Sequence, residues 1–190
     1  MLPRLSDLPI PQAAAGTFVE GLEAEARQTK LTKAEGNDRK NGVVAQYVLQ
    51  WNRPVAVIKA QLATDDQTPL VQWVRQLVVL MTDAEVAARW FAARSADVKG
   101  YEDHRVGRYH YGKVTFAPVT SVGDEASLFL LPNTDGVLPF HDTQVNFRVN
   151  RLIGAVSASA IFNDPHIGPQ MTALAGTLAR KIEDTLRAPS

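Results

Sequence analysis

The side chains best able to do chemistry near neutral pH are the four histidines, His104, His110, His141 and His166, with Glu102, Asp103, Asp142 and Asp164 near them in sequence. A dedicated metal site would place two of them at i, i+4 on a helix or close together in a ligand-rich loop, and no pair has either spacing. Each therefore reads as a solvated or hydrogen-bonded loop residue, and no metal or other cofactor is expected. Serine chemistry fares no better. No Gly-x-Ser-x-Gly turn occurs, and Ser157 and Ser159 fall within a strand-like run. Gly123, Gly136 and Gly154 are isolated, so no phosphate-cradling loop is present. Asp124-Glu125 is the most suggestive carboxylate pair. Adjacent side chains on extended backbone point to opposite sides, so the pair predicts a turn in which the aspartate accepts from nearby amides, not an acid/base couple. No catalytic residue is predicted.

One local concentration of recognition groups remains: Tyr101, His104, Arg105, Arg108, Tyr109, His110, Tyr111 and Lys113. Phenols and guanidiniums suit an anionic or sugar-like ligand, and tyrosine gives contact area at low entropic cost. The same alternation also describes an amphipathic edge strand decorated with charge for solubility. With His141, the members Tyr101, His104, Arg108, Tyr109 and Tyr111 form the candidate ligand-binding set.

These groups must be carried by a scaffold, and the sequence specifies one. Val43 to Trp51 alternates with period two after an Asn41-Gly42 turn and reads as a strand. Pro54 follows, and Val55 to Ala63 is expected to continue the sheet as a short second strand. Val71 to Met81 is the longest apolar strand, its second half rich in hydrophobic residues on both faces. Thr82-Asp83-Ala84-Glu85 matches a capping box, which predicts a helix from there to about Arg94. Lys99 to Gly112 is a polar, aromatic loop or a pair of ragged strands. Val114 to Val119, Ala126 to Leu131 and Val145 to Val149 read as strands, with a loop over 133–139. Asn150-Arg151 turns into Leu152 to Ile161 to make a hairpin. Asp164-Pro165 opens a last helix, whose apolar face is Ile167, Met171, Leu174, Leu178 and Ile182, ending near Arg187. Pro169 fits only if it lies in the opening turn.

Strands in runs with two or three helices predict an α+β fold: a twisted, mainly antiparallel sheet covered by helices, containing two strand-plus-helix units at 71–94 and 152–187. The domain division is a flexible arm over residues 1–16, held extended by Pro3, Pro9 and Pro11, and a single α+β domain over 17–190. Phe18 to Lys40 fits helix and strand periodicity equally. The arm reads as a tether, and fits either a start from which a signal or lipid-anchor segment has been removed or an ordinary cytosolic start.

Composition narrows the partners. In 190 residues, 20 Lys+Arg balance 20 Asp+Glu and the formal net charge is zero, which argues against nucleic acid or an anionic membrane as a partner. A hydrophobic fraction of 45% supports a sizeable core. No run reaches the roughly 20 apolar residues of a membrane span, and the absence of cysteine removes thiol chemistry and disulfides. The remaining partners are a small ligand or another protein.

The order of a long strand, a capped helix, the segment Val122-Gly123-Asp124-Glu125-Ala126, a strand, the hairpin tipped by Asn150-Arg151 and a terminal amphipathic helix resembles a loose group of bacterial secreted or lipid-anchored domains. It is similar in plan to the extracellular sensor domains of actinobacterial receptor kinases, over about residues 42–187. The resemblance implies an extracytoplasmic, non-enzymatic domain that binds a ligand or signals, with no site residue to carry over by position. The chain departs from that group in lacking a lipid-attachment cysteine and the paired cysteines that some of those domains carry. A protein-interaction or self-associating module, pairing through the edge near Tyr109, is the rival class. A metal- or carboxylate-dependent hydrolase is a remote third.

Overall fold

The computed structural model describes residues 23–25, 32–33, 39–64 and 67–187. The arm over residues 1–16 and most of Phe18 to Lys40 lie outside them. Within the latter segment, Glu23–Glu25 (β1) and Thr32–Lys33 (β2) are strands. The next elements are β3 (Val43–Asn52), α1 (Val55–Leu62), β4 (Leu70–Met81), α2 (Ala84–Lys99), β5 (Arg105–Val106) and β6 (Tyr109–Tyr111). They are followed by β7 (Thr115–Pro118), β8 (Glu125–Thr134), β9 (Pro139–Val149), β10 (Leu152–Ile161) and α3 (Ile167–Arg187).

All strands join one antiparallel sheet in the order β1-β3-β4-β10-β9-β8-β6-β5, with β2 beside β3 and β7 beside β8. The fold is α+β, as the sequence predicts. The two long apolar strands β4 and β10 sit at the centre and pair with each other.

Residues opposite one another in the register share a face, and this sorts the sheet into two surfaces. One surface carries Val74, Val156, Ala158, Val145 and Phe147, which pack with the Ile167, Met171, Leu174 and Leu178 stripe of α3 in the main core. Gly154 is required here because a Cβ would lie 2.0 Å from Cζ of Phe147, whose ring covers it. The opposite surface carries Val79, Met81 and Ile153, which pack with Ala87 of α2, while Val98 at the far end of α2 packs with Phe129 and Leu131. Helix α2 thus crosses one face from β4 toward β8, and α3 covers the other. Each strand-plus-helix unit supplies the cover for a different face.

Several local expectations change. Val55–Leu62 is a helix, not a strand: Pro54 supplies its N-terminal boundary, none of its residues is buried, and no packed face is present to reward the β-branched residues for pairing. Helix α2 extends past Arg94 to Lys99, and its N-cap is Asp83, whose Oδ1 accepts from the Val86 amide at 2.8 Å. Thr82 instead donates to the Asp83 carboxylate, and Glu85 pairs with Arg89 one turn on, so the two ends of the expected capping box are engaged elsewhere. Strand β9 starts at Pro139, well before Val145, and the loop contracts to a turn in which Asp135 Oδ1 accepts from the amides of Val137 and Leu138. Pro169 does fall in the opening turn of α3.

Asp124 and Glu125 also behave differently from the extended-backbone expectation. Gly123 adopts φ +59°, which bends the chain just before β8 so that both carboxylates converge on Arg148, at 3.0 and 2.6 Å. Asp124 accepts in addition from the amide of Asn150, at 2.7 Å, and so ties the β8 entrance to the β9–β10 turn. The pair is a clamp on the hairpin.

Candidate functional site

Beneath the first turns of α3 the sheet leaves a cavity of about 440 Å³. Its apolar wall comes from Leu128 and Leu130 on β8 and Ile167 on the helix, and its polar rim from His141 on β9 and Asn163 and Asp164 in the connection to α3. Gly168 keeps the helix side open, since a Cβ there would only just reach van der Waals contact with Leu128 and Leu130, at 3.7 and 3.8 Å. A shallower depression continues along the outer side of α3, sharing Leu128 and Pro169 and ending at Gly176 and Arg180.

The connection that shapes the rim is fixed by local bonds. Phe162 takes φ +63°, turning the chain off the end of β10, and Asp164 Oδ1 accepts from the amide of His166 at 2.8 Å before the helix begins. His141 stands half-buried on the face of β9 shared with Pro132 and Ala160, and burial holds its imidazole below the ordinary histidine range. A neutral imidazole at the rim can both donate and accept a hydrogen bond.

The remaining predicted site residues lie elsewhere. Tyr101 and Tyr111 stack at 5.3 Å between ring centroids beside Val98 and Leu131, on the α2 side of the sheet. Tyr109 packs edge-on against Phe140 at 5.6 Å, and its hydroxyl accepts from Arg108 at 2.7 Å with that guanidinium lying over the ring. His104 is exposed, its Nδ1 2.6 Å from the Glu102 carbonyl. The cluster is therefore assembled, and much of its polar capacity is spent internally. Strand β6 is also not the end of the sheet: it pairs with β8 on one side and β5 on the other.

Next to His141, Asp142 faces the other way, opposite Ser159 and Leu131 in the register. Burial raises its carboxyl above the ordinary aspartate range, an effect opposed by hydrogen bonds with Ser159 and Asn133. Burial and the charge of Asp142 also push the Tyr111 phenol up to about 12, so it remains a neutral donor. The side chains of His141 and Asp142 thus belong to opposite faces of one strand, although Asp142 also borders the cavity, and only the histidine is a site residue by sequence. The signal for the second was the lone acid between two positions of a strand, legible only once β9 is known to begin at Pro139. Asn163, Asp164 and the β8 leucines reach the rim through chain folding that no sequence spacing encodes.

Among the described residues no three His, Cys, Asp or Glu side chains gather in a way that could hold a metal ion, and no helix is long and apolar enough to cross a membrane. No family model matches the chain, and no curated protein matches it either. Among solved structures, the extracellular domain of PknH from Mycobacterium tuberculosis is similar, with a TM-score of 0.50 at 12% sequence identity, over 84% of this chain and 78% of that one. The likeness is one of fold.

Proposed function

We propose that the chain is a non-enzymatic, extracytoplasmic sensor-like domain that binds a small ligand in the cavity beneath the start of α3. The cavity carries the reading. Its volume lies within the range of small-molecule sites, and an apolar wall with a few polar groups at the rim is the usual composition of such a site. The fold shared with the extracellular domain of PknH supports the extracytoplasmic placement.

A thermal-shift panel of sugars, lipids and anions on the full chain tests it. A ligand at 100 times its Kd adds about 2.7 kcal/mol, which is a rise of roughly 5–10 °C for a domain of this size. Leu130→Trp, at a position 37% exposed, fills the cavity from its mouth and abolishes that rise. A panel in which nothing shifts the parent, or in which the filled variant shifts equally, rejects the reading.

Self-association is the second reading, favoured by β7, which has a strand on one side only among the described residues and exposes Phe116. Sedimentation across a roughly hundredfold concentration range around micromolar separates the two; a strict monomer removes this second class.

A further inference from the structure

On the face opposite the cavity, beside α2, the three central strands present side chains of a different kind. The register places Trp73, Ser159 and Asp142 in one cross-strand row and Arg75, Ser157 and Gln144 in the next, on β4, β10 and β9 respectively. With strands about 4.8 Å apart and same-face residues about 7 Å apart along a strand, the six cover roughly 10 by 7 Å. Trp73, Ser157, Asp142 and Gln144 are half-buried and Arg75 is exposed, while Ser159 is buried and hydrogen-bonded to Asp142, so the patch is open to solvent at every member but Ser159.

The chemistry of this patch is uniform. Apart from the indole, every side chain is a hydroxyl, an amide, a carboxyl or a guanidinium, whereas the same strands carry Val74, Val156, Ala158 and Val145 on the other face. The groups are also pre-oriented. Gln144 Nε2 donates to Asn146 Oδ1 at 2.6 Å, which directs its carbonyl oxygen away from that bond, and Ser159 and Asn133 hold the Asp142 carboxyl. Asn146, only 3% exposed, keeps an Nδ2 with no protein partner where the patch runs under α2.

We infer that this patch is a saccharide-binding site. A sugar ring offers an apolar C–H face for the indole of Trp73 and alternating donor and acceptor hydroxyls around its rim. Planar amide, carboxyl and guanidinium groups engage neighbouring hydroxyls in pairs, and the mixed donor and acceptor set matches a hydroxyl, which does both. A phosphate or carboxylate ligand would meet Arg75 but also Asp142, so an uncharged polyol fits the patch better than an anion. The site lies across the sheet from the cavity beneath α3, with Asp142 of β9 bordering both.

Saturation-transfer NMR of the full chain with neutral di- and trisaccharides, lactose, maltotriose, cellotriose and chitotriose, tests the assignment, with affinities from titration of the sugar's own saturation-transfer signal. Binding of at least one sugar is expected, weakened about tenfold or more in both Trp73→Leu and Gln144→Leu, a change of about 1.4 kcal/mol each. The two substitutions lie on different strands and both positions are partly open to water, so circular dichroism spectra matching the parent will certify the comparison for at least one of them. Leu130→Trp serves as the control on the opposite face and leaves sugar binding intact. No binding to any of the sugars, or binding that survives both patch substitutions, overturns the inference. Binding lost in Leu130→Trp but kept in the patch variants overturns it too, while upholding the cavity as the ligand site.

Discussion

Substituting Gly154 by alanine probes the register on which both sites depend. The added Cβ would lie 2.0, 2.4 and 2.5 Å from three carbons of the Phe147 ring. Carbon atoms settle at about 3.5 Å or more, so the ring must retreat by roughly 1.5 Å. It has nowhere to go without strain, since Phe147 is fully buried in the core that α3 closes. Overpacking of this kind costs about 1–3 kcal/mol, and taking 2 kcal/mol as the centre gives a fall in Tm of about 4–8 °C. Urea denaturation of Gly154→Ala, Phe147→Leu and the double variant measures the coupling. Removing the ring frees the space that the methyl needs, so the double variant should be more stable than the sum of the single losses predicts, by about 1 kcal/mol or more. Additive losses, or a Gly154→Ala protein as stable as the parent, would refute the pairing of β9 with β10. A slip of one residue would exchange the faces of His141 and Asp142, and with them the assignment of the two sites.

Gln76 is fully buried among Val74, Val156 and Leu49, with neither amide atom bonded in the protein, so Gln76→Leu should raise stability by about 1–3 kcal/mol in urea denaturation; a loss would show that its amide is held by bound water. Asp83→Ala should lower the Tm measurably while Glu85→Ala changes it little, because the N-cap bond belongs to Asp83; equal effects would restore the capping box. His141 is held below its ordinary pKa of 6.5, so the unfolded chain binds its proton first, and stability should fall as pH drops from 6.5 through the folded value. His141→Gln should flatten that slope in denaturation curves taken across the range. Asp142 has the opposite sign. Its raised folded pKa means that stability is lost as pH rises from 3.8 through the folded value, and Asp142→Asn should gain on the parent over that interval and match it below; a gap that instead widened below pH 3.8 would count against a buried, proton-holding carboxyl.

What the sequence discloses about the fold follows from how locally each signal acts. Alternation in 43–51 and 71–81 and the four-three-four-four stripe from Ile167 to Ile182 are both local and rewarded by packing, and they mark β3, β4 and α3 as observed. Val55–Leu62 lacks the second condition. Its valines and isoleucine favour a strand only where a neighbouring strand receives them, and a helix with no buried residue follows instead. Phe140 to Thr143 carries no clear strand signal for a related reason: His141 and Asp142 break the apolar alternation, yet both are placed by strands on both sides.

The candidate sites divide along the same line. The tyrosine and arginine cluster was visible because aromatic and basic residues crowd into one short segment, but its proximity in sequence also lets it satisfy itself, with Arg108 on Tyr109 and Tyr101 on Tyr111. The cavity and the polar patch draw one or two residues from each of several strands, and nothing in the spacing of Trp73, Gln144 and Ser157 announces that they meet. Pairing of β4 with β10 and of β10 with β9 brings them together, so the information lies in long-range register. The α2 side of the sheet carries apolar Val79, Met81 and Ile153 toward one end and the Trp73, Arg75, Ser157 and Gln144 patch toward the other, while the α3 side buries Gln76 and Thr143 among its apolar residues. An indole beside open hydroxyl, amide and guanidinium groups, held by three paired strands, is the physical reason to look for an occupant there.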